Sequence, residues 1–310
     1  MNKKIIMAVV FLLSIVPTTS IAAVKTQDAV VQPSLAIIDT ALDTSLPIFA
    51  GKVAYEVCIL EWKTCPNSES FMEGPGSASM PLSFMATRDF NHGTQMTSIA
   101  VSANPNMKIV FIRIIGNTST GSRQLAGPRS VENALKWIID NQSKYNIQAV
   151  AMSQGHHNLL PKANYCPLSA KIQNQLTTLL SLNVPFFTAT GNVRDYKQID
   201  WPACLPEAVA VAATDQQNEI AMYSNVDPNL TDFFALGNTT AFVPGGAKVN
   251  AAGTSASAQI AAAQWIQIKT SKPGLSYQQQ YDLMKNTSIS TKGRQGTFKA
   301  LIDLQGALNA

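Results

Sequence analysis

Residues 35–39 read Leu35-Ala36-Ile37-Ile38-Asp39, four apolar side chains followed at once by a carboxylate. A strand buried on both faces is apolar at every position, whereas a half-exposed strand alternates. The run therefore predicts a central strand of a parallel sheet over Leu35 to Ile38, with Asp39 delivered at its carboxyl end. Four more runs have the same character: Ile109 to Ile115, Ile147 to Met152, Val184 to Thr188 and Ala208 to Ala212. Amphipathic stretches lie between them. Val131 to Tyr145 follows Ser130, a candidate N-cap, and Ile172, Leu176, Leu179 and Leu180 share one helical face. Strands alternating with helices predict an α/β fold of three layers, a mostly parallel sheet with helices on both faces.

Ligands and chemistry gather at the carboxyl ends of strands in such a sheet. Asp39 follows the first strand, and Asn192 comes just after the strand that ends near Thr188. His92 opens a helical stretch whose apolar face is Met96, Ile99, Ala100 and Ala103, so the histidine sits at the first turn. Gly253 and Thr254 lead into Ser255 and the small-residue run Ala256 to Ala263. A helix with so little side-chain volume packs closely under a sheet, and its first turn leaves backbone N–H groups unpaired, which suits an oxyanion. A serine hydroxyl is a poor nucleophile until a histidine takes its proton, and that histidine needs a carboxylate to fix its tautomer. Asp39, His92 and Ser255 supply the three roles in the order acid, base, nucleophile. Each alone is common turn or cap chemistry; their joint order carries the reading.

The chain has 310 residues, 46% hydrophobic and 14% charged, which suits one large globular domain. Residues 1–22 begin with Lys3 and Lys4, continue as an apolar run and close on Ser20-Ile21-Ala22, the layout of a secretory signal peptide. The expected organisation is a signal peptide over 1–22, a short segment over 23–34 and a catalytic domain over 35–310. Removing Lys3 and Lys4 leaves 21 basic residues against 19 acidic ones, too even a balance to imply nucleic acid or an anionic membrane as partner. No later stretch is long and apolar enough to span a bilayer. Export, to the periplasm or the medium, gives Cys58, Cys65, Cys166 and Cys204 an oxidising setting. Four cysteines allow three pairings, of which Cys58 with Cys65 and Cys166 with Cys204 are favoured. Nothing has zinc-ligand spacing, and the adjacent His156 and His157 read as buried or solvated loop residues. Gly74-Pro75-Gly76 follows no clear strand and reads as a loop, within a Ser-, Gly- and Pro-rich insertion over Lys63 to Phe84 placed near the cleft.

With these motifs in order, the chain resembles the subtilisin-like serine peptidases, the subtilase family, from about residue 35 to the end. Asp39 in D-T resembles the family's acid, His92 in H-G-T its base and Ser255 in G-T-S-A its nucleophile. Asn192 in Ala189-Thr190-Gly191-Asn192 matches the asparagine that donates to the oxyanion. Ser153-Gln154-Gly155 is similar to the S-x-G segment that binds substrate backbone and lines a pocket, and residues 205–225 resemble the stretch after the asparagine. The resemblance implies a secreted serine endopeptidase acting on polypeptides through an acyl-enzyme, monomeric and with no cofactor for catalysis. Ile48 stands after Pro47 where many subtilases carry a calcium-binding aspartate, which argues against that calcium position; no firm calcium requirement is expected and no metal-ligating residue is assigned. Ala41 replaces a usual glycine, and Gln259 replaces the proline of G-T-S-x-A-x-P. The segment over 23–34 has no room for the family's pro-domain. Folding then proceeds unaided, helped by two disulfides worth about 2 to 4 kcal/mol each, or with a separate inhibitor or folding partner. These departures leave a catalytically impaired, subtilase-like binding protein as the alternative. An α/β-hydrolase esterase is disfavoured, since no G-x-S-x-G occurs and the histidine would come last.

Overall fold

Strand β1 (Ser34–Asp39) is buried at all six positions, because both of its edges and both of its faces are covered. It pairs in parallel with β4 (Lys108–Arg113) on one side and β7 (Ile147–Met152) on the other, with Asp39 opposite Arg113. In the computed structural model, residues 32–118, 120–124, 127–157, 166, 169–294 and 296–310 are described, and Val31–Ala310 form one compact unit. The expected signal peptide over 1–22 and most of the segment over 23–34 lie outside the described residues.

The sheet continues from β4 to β2 (Val53–Ile59) and β3 (Phe71–Glu73). From β7 it runs through β8 (Phe186–Ala189), β9 (Ala208–Thr214), β10 (Phe233–Leu236), β14 (Gly296–Leu301) and β13 (Ile289–Gly293). All neighbours are parallel except the edge pairs β2 with β3 and β13 with β14. Two hairpins stand apart from it, β5 (Gly116–Asn117) with β6 (Arg123–Gln124) and β11 (Asn238–Phe242) with β12 (Lys248–Ala252).

Side chains of a strand alternate between faces, and here both faces are core. Leu35 and Ile37 pack with Phe111, Phe187 and Val209 beneath α5 (Thr254–Ser271). Ala36 and Ile38 point the other way, toward α3 (Pro128–Asn141) and α4 (Ala170–Ser181). The chain also forms α1 (Leu82–Met85), α2 (His92–Ala103), α6 (Tyr277–Thr287) and α7 (Leu304–Asn309). This is the three-layer α/β architecture the sequence predicts.

Two local expectations differ. Helix α3 starts earlier than Val131, because Pro128 with its preset φ occupies the first turn and Gly127 is the N-cap. Ser130 therefore lies inside the helix, buried, its hydroxyl without a partner among the described residues. The insertion over Lys63 to Phe84 is not all loop: it holds α1 and the strand β3, which pairs with β2 from Val57 to Ile59 and covers an otherwise open edge. The Cys58–Cys65 bridge, Cα atoms 6.0 Å apart, ties this insertion to β2, and Cys166–Cys204 spans 5.8 Å, both in the favoured pairing. In the turn after β3, Gly76 N and Ala78 N donate to the buried Glu56, whose carboxyl is nevertheless raised above its ordinary range by burial.

Lys269, near the end of α5, is half-buried, and loss of hydration pushes its ammonium down from 10.5 to about 8. The unfolded chain then holds the extra proton between those values, so this lysine makes stability rise as pH climbs from about 8 to 10.5 and costs most below pH 8. Lys269→Met removes that cost. Its unfolding free energy relative to wild type is expected to be most favourable near pH 7 and to shrink toward pH 10 in urea titrations. A difference that stays constant over that range would refute this.

Candidate active site

Asp39 has no solvent exposure, and its carboxylate is met by the protein at short range. Thr40 N donates to Oδ1 at 2.7 Å, and His92 Nδ1 lies 2.8 Å from Oδ1 and 2.9 Å from Oδ2. A carboxylate only accepts, so Nδ1 carries the hydrogen and Nε2 keeps its lone pair for a donor on the open side. The His92 side chain is 27% exposed, closed on the Asp39 side and open on the other.

The start of α2 is fixed to the end of β1 by one hydroxyl. Thr40 Oγ1 donates to Phe90 O at 2.8 Å and accepts from Gly93 N at 2.8 Å. Only glycine fits at 93, where a Cβ would come 2.5 Å from Ala41 O.

Ser255 is the second residue of α5, partly exposed, after Gly253 at φ +154°. Its hydroxyl makes no hydrogen bond among the described residues. Asn192 is exposed at the same helix terminus. Its Oδ1 accepts from Thr254 N at 2.9 Å and from Thr254 Oγ1 at 3.1 Å, which leaves Nδ2 as the outward donor. Thr254 Oγ1 in turn accepts from Gly191 N at 3.0 Å. Ser153 Oγ donates to Ser255 O at 3.1 Å and accepts from Gln259 Nε2 at 3.1 Å. The structure thus gathers Asp39, His92, Ser153, Gln154, Asn192 and Ser255 along one sheet edge, with Gln154 turned to Asp39 and His92. Gly155 runs against the chain at Trp201, whose carbonyl would be 2.4 Å from any Cβ at that position.

Several supporting residues have no signature in the sequence. Asn225, fully buried, accepts through Oδ1 from Val193 N at 3.0 Å and Asp195 N at 2.9 Å, and its Nδ2 donates to Asp200 Oδ1 at 2.9 Å. Its backbone N also donates to Gly191 O at 2.9 Å, so one residue clamps the turn that carries Asn192. It falls at the end of the stretch over 205–225 that the resemblance covers, yet nothing in its local pattern marks a role. Burial raises the Asp200 carboxyl, and the bonds from His157 Nδ1 (2.9 Å) and Asn225 work against that rise. His157 is thus paired with a carboxylate, while its neighbour His156 lies over the Trp201 ring at 5.3 Å. Asn225→Ala leaves two backbone N–H groups and a carboxylate short of partners. It is expected to cost about 2 kcal/mol in denaturant unfolding, and a loss of a few tenths would contradict the clamp.

Residues 32–306 match the Peptidase_S8 model of the subtilase family. The chain is 26% identical over 243 residues to the alkaline protease of Alkalihalobacillus alcalophilus, across 75% of this chain and 59% of that protein. It therefore spans less than two thirds of that relative. Against subtilisin Savinase of Lederbergia lenta the identity is also 26% over 243 residues, with 83% of that protein covered. Among solved structures, proteases from Pseudoalteromonas arctica superpose with a TM-score of 0.70 at 19% identity, covering 89% of each chain. A cold adapted subtilisin-like serine proteinase gives 0.64 at 18% identity, covering 87% of each, so the fold is shared well beyond the sequence. From β1 to α7, this chain belongs to the subtilase family.

Proposed function

We propose that this subtilase is an exported serine endopeptidase that cleaves polypeptides through an acyl-enzyme on Ser255. The observation that carries the reading is the Asp39–His92 pair, 2.8 Å at its shortest, tied through Gln154 and its neighbour Ser153 to the first turn of α5, where Ser255 lies and Asn192 is bonded to Thr254.

Ser255 Oγ attacks the scissile carbonyl carbon while His92 Nε2 takes its proton, and Asp39 stabilises the imidazolium that forms. The carbonyl oxygen gains the negative charge; Asn192 Nδ2 and Ser255 N donate to it, the latter unpaired because it lies in the first turn of α5. His92 returns the proton to the leaving amine, and water repeats the sequence on the ester. Every role falls to a protein group, so we assign no metal or cofactor to the step; Ile48 in place of a carboxylate is the ground for proposing no firm calcium requirement. Ser153, Gln154 and Gly155 would align the substrate backbone beside the triad. The signal pattern over 1–22 and the two disulfides support export to the periplasm or the medium, and we take the protein to act as a monomer. Among the described residues, no helix is long and apolar enough to cross a membrane.

A fluorophosphonate probe is expected to label the folded protein at Ser255, and Ser255→Ala to abolish labelling and to lower peptide hydrolysis by about a thousandfold or more. Asn192→Ala should keep the label but lower kcat by about 10² to 10³, the cost of one oxyanion donor. Absence of labelling in folded wild type, or equal labelling of Ser255→Ala, would favour the binding-protein alternative.

A further inference from the structure

Catalysis by the triad leaves the Gln154 side chain without a task, although it touches both Asp39 and His92. Its Nε2 lies 2.9 Å from Asp39 Oδ1 and 3.0 Å from His92 Nδ1, and its Oε1 accepts from Arg123 on the hairpin strand β6. Arginine only donates and a carboxylate only accepts, so the amide is oriented without ambiguity: oxygen to Arg123, nitrogen to Asp39. His92 Nδ1–H is a donor as well, so the two N–H groups converge on Oδ1 and do not bond each other. That one oxygen then takes Thr40 N, His92 Nδ1 and Gln154 Nε2, all within 2.9 Å.

We infer that Gln154, anchored by Arg123, is a positioning residue for the Asp39–His92 pair, a role separate from its backbone's alignment of substrate. This rests on the peptidase reading. The amide lies against the Nδ1 side of the ring, at 3.0 Å, and so opposes rotation of the imidazole on that side. It also takes up part of the carboxylate's hydrogen-bonding capacity. Asp39 and, one side chain further out, Arg123 are the charged groups that the hydrogen bonds connect to this ring. With the amide donor gone, Asp39 holds the imidazolium more firmly, and the base is taken out of service at a higher pH.

The test compares wild type with Gln154→Leu, Gln154→Glu and Arg123→Lys through peptide hydrolysis against pH. Proton NMR of the low-field His92 Nδ1–H signal, in the Ser255→Ala background, supplies a readout that needs no turnover. Gln154→Leu is expected to lower kcat about tenfold with KM changed less than threefold, to move the acid limb of kcat/KM to higher pH and to shift the Nδ1–H resonance. Gln154→Glu, nearly the same shape, sets a second carboxylate against Asp39 and should move the limb further in the same direction; it also serves if the leucine variant folds poorly. Arg123→Lys still donates to Oε1 and should stay within about twofold of wild type. Wild-type kcat and an unmoved acid limb in both Gln154 variants would overturn the inference, as would an unshifted Nδ1–H signal. If wild type neither hydrolyses peptides nor takes the label while the signal still moves with Gln154→Leu, the peptidase reading falls and the positioning contact stands.

Discussion

A carboxylate with no access to water must have its charge met by neighbouring donors, or it raises the energy of the whole fold. Asp39 is in that position because β1 lies in the middle of the sheet with core on both faces, so the chain end of the strand is its only open direction. The donors that answer it come from three segments: Thr40 N from the very next residue, His92 from α2 and Gln154 from the loop after β7. Satisfying one charge thereby sets where α2 begins and where the loop over 153–155 runs. The Thr40 hydroxyl tightens the arrangement by bridging Phe90 O and Gly93 N, and the approach it enforces is what excludes a side chain at 93.

The other half of the site depends on how near α5 comes to the sheet. Ala258, Ala261, Ala262 and Ala263 are fully buried, and with no bulk beyond a methyl they let the helix axis lie close against β7 to β10. Alanine buries little area per residue, so the helix compensates by length, 18 residues, and by Trp265, fully buried edge-on to Phe187 at 5.8 Å. That close seat brings the first turn to the sheet edge beside the turn carrying Asn192. Thr254 joins the two, donating to Asn192 Oδ1 and accepting from Gly191 N. The amide nitrogen of Asn192 is aimed by what its oxygen does.

The five buried strands were legible in the sequence because burial on both faces removes alternation and leaves uninterrupted apolar runs, and their observed limits differ by a residue or two. The positions of Asp39, His92, Asn192 and Ser255 were legible because Asp39 ends a strand, His92 opens a helix, Ser255 lies in the first turn of one and Asn192 follows three residues after β8. What could not be read depends on contacts distant in the chain. Asn225 clamps residues some 30 positions away, and the amide of Gln154 acquires its role from Arg123, 31 residues earlier on a separate hairpin. Strand β3, three residues long and paired only with an edge, has too little pattern to stand out from a Ser- and Gly-rich insertion. At Ser130 two local signals competed, and Pro128 at the first turn prevailed over a serine that is a good cap in isolation.

The two departures near Asp39 and Ser255 are absorbed in different ways. Ala41 avoids the left-handed region of backbone conformation and its methyl joins the core with Ile38 and Phe90, so a Cβ is accommodated there without strain. Gln259 carries a cost, since its buried Oε1 has no partner among the described residues, worth about 1 to 3 kcal/mol. Against this, its Nε2 holds Ser153, and Ser153 holds the Ser255 carbonyl. The same carbonyl accepts the Gln259 backbone N–H in the regular i to i−4 pattern of α5, a bond that proline cannot make. One residue therefore fixes the Ser255 peptide twice, along the helix through its backbone and across to β7 through its side chain. That double hold is a physical reason for an uncompensated amide oxygen to persist next to Ser255.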